Sequence, residues 1–312
     1  ADLKGRAVPS AGDWESLFLF ALTWSLAATV DADGRAKVSE FVRSSVRDPG
    51  FLRAHALATF YRLRGWNEEA AGLEKGAVAL DWPVEGDLHD YFYSAESGRW
   101  KSWDAVLPKA TIKKGATFAS IIVPTVATEQ FNYLVQLLAT RGVSVLVCGP
   151  TGTGKSAYMK RLLSSTLPAR YVPTYVNFSA RTSANATQGI IDEKLERRRK
   201  GVFGPRPGDK ALVFVDDLNL PEPEKYGAQP PIELLRQLVE TGGWYDLSDR
   251  EFKKLEDTQL LAALGPPGGG RNTISPRLQR HFTSMCFPSF DDPTMMRIFT
   301  TIVDSFIHDG DF

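Results

Sequence analysis

Residues 149–156 read Gly149-Pro150-Thr151-Gly152-Thr153-Gly154-Lys155-Ser156, an unbroken G-x-x-x-x-G-K-S. This spacing constrains the fold more than any other stretch, because it has a mechanism. Glycines let a backbone close around phosphates, and successive N–H groups of such a loop form an anion nest. Gly149, Thr151, Gly152, Thr153 and Gly154 would line that nest. Lys155 would reach the β- and γ-phosphates, and the Ser156 hydroxyl would bind Mg²⁺. The flanks agree. An apolar run at 143–148 has the composition of a buried strand, and 157–163 has a helical pattern. The loop would then stand at a helix N-terminus, where the dipole favours anions.

A second strand completes the pattern. Ala211-Leu212-Val213-Phe214-Val215 is apolar and ends in Asp216-Asp217. In P-loop enzymes the first acid of such a strand holds Mg²⁺, directly or through water. The next can orient and deprotonate an attacking water. A parallel sheet brings both strand ends to one edge, where ligands of open α/β sheets bind.

Around these motifs, strands are expected at 143–148, 171–178, 211–216, 259–264 and 282–287. Helices are expected at 131–140, 155–165, 183–199, 231–241 and near 276–280. Apolar strands alternating with helices predict a parallel sheet covered on both faces. The N-terminal part reads differently. Helices are expected at 14–28, at 36–45 with Phe41 and Val42 as the apolar side, and at 51–63. Aromatics at 90–103 around Gly98 predict a β-hairpin, with the tryptophans packing it onto a domain and not stacking on bases. A length of 312 residues suits about two domains.

Lysine plus arginine and aspartate plus glutamate both number 37, for a net charge of +0. No global field favours a nucleic-acid or membrane partner. The apolar run at 17–26 is too short to span a bilayer. Cys148 and Cys286 do not make a disulfide framework, and a soluble intracellular protein is expected. The four histidines lack metal-ligand spacing. The basic run 194–200 is expected to be the solvated last turn of a helix, where cations suit the dipole. Both ends give the impression of a piece cut from a longer chain.

Several longer segments resemble AAA+ proteins, and more closely the heavy chains of axonemal dynein. They are 176–185 (VNFSARTSAN), 200–205 (KGVFGP), 215–221 (VDDLNLP), 226–236 (YGAQPPIELLR) and 265–272 (GPPGGGRN). The likeness covers about 85–290 and is closest to a third AAA+ module. It implies an α/β P-loop NTPase with a five-stranded parallel sheet sandwiched by helices, preceded by a small α-helical lid subdomain. Residues 1–85 look similar to the lid of the preceding, second module. A hairpin linker would occupy 86–109, the large subdomain 110–290, and the start of its own lid 291–312. Val123, Pro124 and Thr125 resemble the segment packed near adenine, although the family carries Asp where this chain has Ala127.

The resemblance implies ATP or ADP with Mg²⁺ as cofactors, and an axonemal location in a cilium or flagellum. Its partners would be neighbouring modules of the same heavy chain, and intermediate or light chains through the full complex. Microtubules would be reached only through parts absent here. Two departures bear on turnover. Hydrolysing modules carry Glu where this chain has Asp217, which is one methylene shorter, so the carboxylate retreats by about 1.5 Å. They also carry Asn where this chain has Gly265, which cannot polarise water; Asn272 lies nearby. Binding with slow hydrolysis is therefore expected, in a regulatory module that gates the main ATPase site of the ring. Arg280 falls at the arginine-finger position, which serves a neighbouring module's site, and Arg277 is a lesser candidate. A stand-alone P-loop ATPase and a structural module with a vestigial site remain alternatives.

Overall fold

The structure is a computed structural model that describes residues 11–47, 83–110, 112 and 121–309. It divides into two compact units, Ala1–Lys109 with Pro124–Val126, and Ala110–Val123 with Ala127–Phe312. The helix expected at 51–63 lies outside the described residues.

In the first unit, helices α1 (Ala11–Leu26) and α2 (Ala32–Arg47) meet a hairpin of β1 (Tyr91–Ser94) and β2 (Arg99–Ser102). On α2 the buried residues are Arg35, Ser39 and Val42, which follow one another at helical spacing. Phe41 was expected on that apolar side and is instead 63% exposed. Adjacent helical residues do not share a face, so Val42 and Phe41 cannot both turn inward. Leu19, Val42 and Leu88 form the small core, with Val38 and Trp100 packed against it. Trp103 is buried with its ring 4.4 Å from that of Phe92, so the hairpin aromatics pack inward.

The second unit is built on β3 (Val145–Cys148), β4 (Tyr171–Asn177), β7 (Lys210–Asp216), β10 (Thr258–Leu264) and β11 (Thr283–Cys286). They form one parallel sheet in the order β11-β3-β10-β7-β4. The middle strands β10 and β7 are buried beyond their first residue, which requires cover on both faces. The helices of this unit are α3 (Val126–Thr140), α4 (Lys155–Arg161), α5 (Ala184–Asp192), α6 (Pro230–Thr241), α7 (Pro276–Gln279) and α8 (Asp292–Asp309). Proline at the start of α6 and Gly242 in the left-handed region at its end punctuate that helix. The main core gathers Val213, Val215, Leu235, Trp244 and Leu260. Complete burial of each such side chain contributes about 2–3 kcal/mol.

Two expectations are corrected here. The helix predicted over 183–199 stops at Asp192. Residues Glu196–Arg199 are strand β5, which turns back through Gly201 onto β6 (Val202–Gly204). With β8 (Gly243–Tyr245) and β9 (Phe252–Leu255) they make a second sheet, β5-β6-β9-β8. The basic run is therefore a solvated edge strand and not a helix terminus. Its partners come from the far side of the sequence: Arg198 lies 2.5 Å from Asp257, and Arg199 lies 2.7 Å from Glu256. The helix predicted over 155–165 also shortens. It is α-helical to Arg161 and continues as a widened π turn, Leu162–Thr166, that buries Leu162 and Leu163.

His89 carries a pH dependence for the first unit. It is buried, with Nε2 2.9 Å from the Ala27 carbonyl and its ring edge-on to Trp24. Burial, and then the Arg35 charge, push its pKa down to about 4, against the Ala27 hydrogen bond. The unfolded chain would bind that proton near pH 6.5. The stabilisation is thus complete above about pH 6.5 and drains away as pH falls toward 4, by up to about 3 kcal/mol. Urea unfolding from pH 7.5 to 4.5 should show His89→Gln losing less stability on acidification than the wild type. Parallel curves would mean that His89 is not held neutral.

Candidate functional site

The P-loop begins where β3 ends. Gly149 donates its N–H to the Leu264 carbonyl at 3.2 Å, which ties the loop to the end of β10. Gly152 and Gly154 take left-handed φ values of 86° and 77°. Thr151 and Gly152 are exposed, while Thr153 is buried and donates to the Pro150 carbonyl at 3.0 Å. The Lys155 ammonium folds back into the loop, donating to Pro150 O at 2.5 Å and lying 3.4 Å from Thr153 Oγ1. Burial lowers the Lys155 pKa, helped by the Arg271 charge and opposed by Cys148, Asp217 and Asp216.

The next residue makes the link to the second motif. Ser156 Oγ donates to Asp216 Oδ1 at 2.7 Å. Lys160, one helical turn on, places Nζ 3.6 Å from Asp216 Oδ2. A hydroxyl and a carboxylate side by side are hard oxygen donors of the kind Mg²⁺ takes, so these residues fit a magnesium–nucleotide.

Asp217 is held differently. Its φ of 52° is left-handed, and its N–H donates to Asp216 Oδ1 at 3.1 Å. Non-glycine residues in this region are uncommon and gather at functional sites. Its carboxylate is paired with Arg271, at 3.1 Å from Nη2. A Cβ at Gly265 would fall 2.4 Å from Arg271 Nε and 2.6 Å from its Cδ. The space beside residue 265 is thus filled by Arg271. Asn272 points elsewhere, donating to the Pro221 carbonyl at 3.0 Å. Asn219 clamps the loop by donating to Gly265 O at 2.8 Å and Asn272 O at 3.1 Å.

Of the remaining predicted residues, Val123 is buried in the second unit, whereas Pro124 and Thr125 group with the first. Arg280, at the end of α7, is largely exposed and paired with Glu240 of α6 at 2.9 Å. Arg277 is exposed as well. Sequence reading did not find Arg271, Lys160 or Asn219. The signal for Arg271 was the bare Gly265 followed by a glycine-rich return carrying one arginine.

The sequence matches a known family. Residues 110–290 match the model for the P-loop containing dynein motor region, and residues 10–105 match the dynein heavy chain AAA lid domain. The chain belongs to the dynein heavy chain family. Among curated relatives, it is 44% identical over 295 residues to dynein axonemal heavy chain 12 of Mus musculus, covering 93% of this chain and 9% of the relative. It is 41% identical over 293 residues to dynein axonemal heavy chain 3 of Homo sapiens, covering 93% of this chain and 7% of the relative. It is also 41% identical over 297 residues to human dynein axonemal heavy chain 1, covering 94% and 7%. The chain thus spans under a tenth of the length of these relatives. A P-loop dynein motor region implies nucleotide binding in general terms.

In this dynein P-loop, Gly154 meets two requirements at once. Its φ is left-handed, and a Cβ there would stand 2.8 Å from Tyr158 Cε2, in a ring stacked on Phe287. Gly154→Ala should cost about 1–2 kcal/mol from the left-handed conformation alone. Denaturant titration measures this, and an unchanged midpoint would refute it.

Proposed function

We propose that this chain is a regulatory nucleotide-binding portion of an axonemal dynein motor. In this reading it comprises the lid of the second AAA+ module and the large subdomain of the third. It binds ATP or ADP with Mg²⁺ and biases the conformation of a ring whose main ATPase site lies elsewhere. The full heavy chain would act on microtubules in the axoneme of a cilium or flagellum, with neighbouring modules and intermediate or light chains as partners.

The observation that carries the reading is the Ser156–Asp216 hydrogen bond beside a P-loop lysine. The nest N–H groups and Lys155 would hold the phosphates, and Ser156 and Asp216 would hold the metal. Bound Mg²⁺ would supply charge neutralisation for the phosphates. Slow turnover is supported by Asp217. A general base must be free to reach its water, and this carboxylate is engaged by Arg271. With Gly265 bare, no side chain at that position orients the water. Arg280 would act in trans on a neighbouring module's site, and its exposed guanidinium suits that role. A nucleotide would gate the ring only through different affinity for two ring states.

Titration calorimetry of ATP and ADP with Mg²⁺ on this chain, followed by product analysis, tests the reading. Binding with little ADP formed is expected, and Lys155→Ala should abolish it. Tight binding by Lys155→Ala would remove the site assignment, and fast steady turnover would favour a stand-alone ATPase.

A further inference from the structure

We infer that Arg271 reads the terminal phosphate of a nucleoside triphosphate from within its own module, and that its ion pair with Asp217 is the resting position of that reader. The inference rests on the reading that residues 149–156 bind a magnesium–nucleotide. Position 265 follows β10, which lies between β3, the strand feeding the P-loop, and β7, the strand ending in Asp216. Position 265 thus emerges next to the P-loop, whose Gly149 N–H bonds the Leu264 carbonyl at 3.2 Å. Gly265 has no side chain, and Arg271 occupies the space, 2.4 Å from where a Cβ would be.

The chain is shaped to deliver that arginine. Residues 266–270 form a tight return in which Gly268 and Arg271 exchange backbone hydrogen bonds of 3.0 and 3.1 Å. Gly268, Gly269 and Gly270 all have positive φ. The Asn272 N–H then bonds the Asn219 carbonyl at 2.9 Å, which fixes the return to the loop after β7. The Arg271 backbone is thereby anchored on both sides of the return, and its side chain runs back beside Gly265.

That guanidinium is only partly satisfied. Nη2 pairs with Asp217, but Nε is buried without an acceptor among the described residues. Its charge is also felt at Lys155, which it repels. Lys155 is folded on a backbone carbonyl and Arg271 on a half-exposed acid, partners that an anion at the loop would outcompete. A forked guanidinium binds a phosphate with two parallel hydrogen bonds, which an ammonium cannot do. A triphosphate would add its last phosphate beyond the loop nest and draw Arg271 from Asp217. A diphosphate lacks that group, so Arg271 stays paired. Release of Asp217 is then coupled to the presence of the triphosphate.

The test measures ATP and ADP affinity, each with Mg²⁺, in the 312-residue chain. Arg271→Met keeps the stem that fills the space beside Gly265 and removes the charge. It should weaken ATP by about tenfold or more while leaving ADP within about twofold. Asp217→Asn provides a second handle should the first variant misfold. Freed of its partner, Arg271 should tighten ATP and leave ADP unchanged, and the gain should vanish in the double variant. Equal weakening of both nucleotides by Arg271→Met, or no change in the ATP-to-ADP ratio in either variant, would overturn this inference alone. Failure of the wild type to bind either nucleotide would overturn the nucleotide reading and this inference with it.

Discussion

The parallel register of β3, β10 and β7 sets where every group of the candidate site stands. Leu264 lies opposite Cys148, and Ala262 lies opposite Val215. The residues that follow these strands therefore emerge together at one edge: Gly149 from β3, Gly265 from β10 and Asp217 from β7. Because side chains alternate along a strand, a slip of one residue would swap the side chains between the two covered faces and move the residue that follows the strand out of place. The same ladder carries the buried side chains of β7 and β10 and the loops that follow them, so core packing and site geometry depend on one alignment.

Charge is the second organising term. Lys155, Lys160 and Arg271 stand near Asp216 and Asp217, and each of the three has found an oxygen. Lys155 takes a backbone carbonyl, a weaker partner for a buried ammonium than a phosphate would be, and burial lowers its pKa. The acids, by contrast, are well served. Asp216 accepts from Ser156 and from the Asp217 N–H and faces Lys160. The surplus lies on the cationic side, as an anion-binding pocket requires.

Much of this was legible in the sequence because it is carried by local pattern. The P-loop spacing, the apolar strand before Asp216 and the five strands of the parallel sheet all follow from composition and period. The site contact between Ser156 and Asp216 follows from the two motifs once the sheet is parallel. What failed to show was non-local. Residues 196–199 read as the end of a helix because their partners, Glu256 and Asp257, lie far along the chain. The pairing of Arg271 with Asp217 joins residues 54 apart in the chain, so neither segment shows it alone. Phe41 was misplaced for a simpler reason, since the helical period admits Val42 inward and turns its neighbour out.

The glycine at 265 and the aspartate at 217 are physically coupled through Arg271. A bare position 265 leaves room, and a long cationic side chain six residues later fills it. A guanidinium in that place calls for an anionic neighbour, and the carboxylate of Asp217 meets it at 3.1 Å. Restoring an asparagine at 265 alone would drive its Cβ into Arg271, and removing Arg271 alone would leave Asp217 without the charge that holds it. Arg271, Gly265 and Asp217 are therefore one interlocked set of contacts, in which no member can be changed without exposing a clash or an unpaired charge in the others.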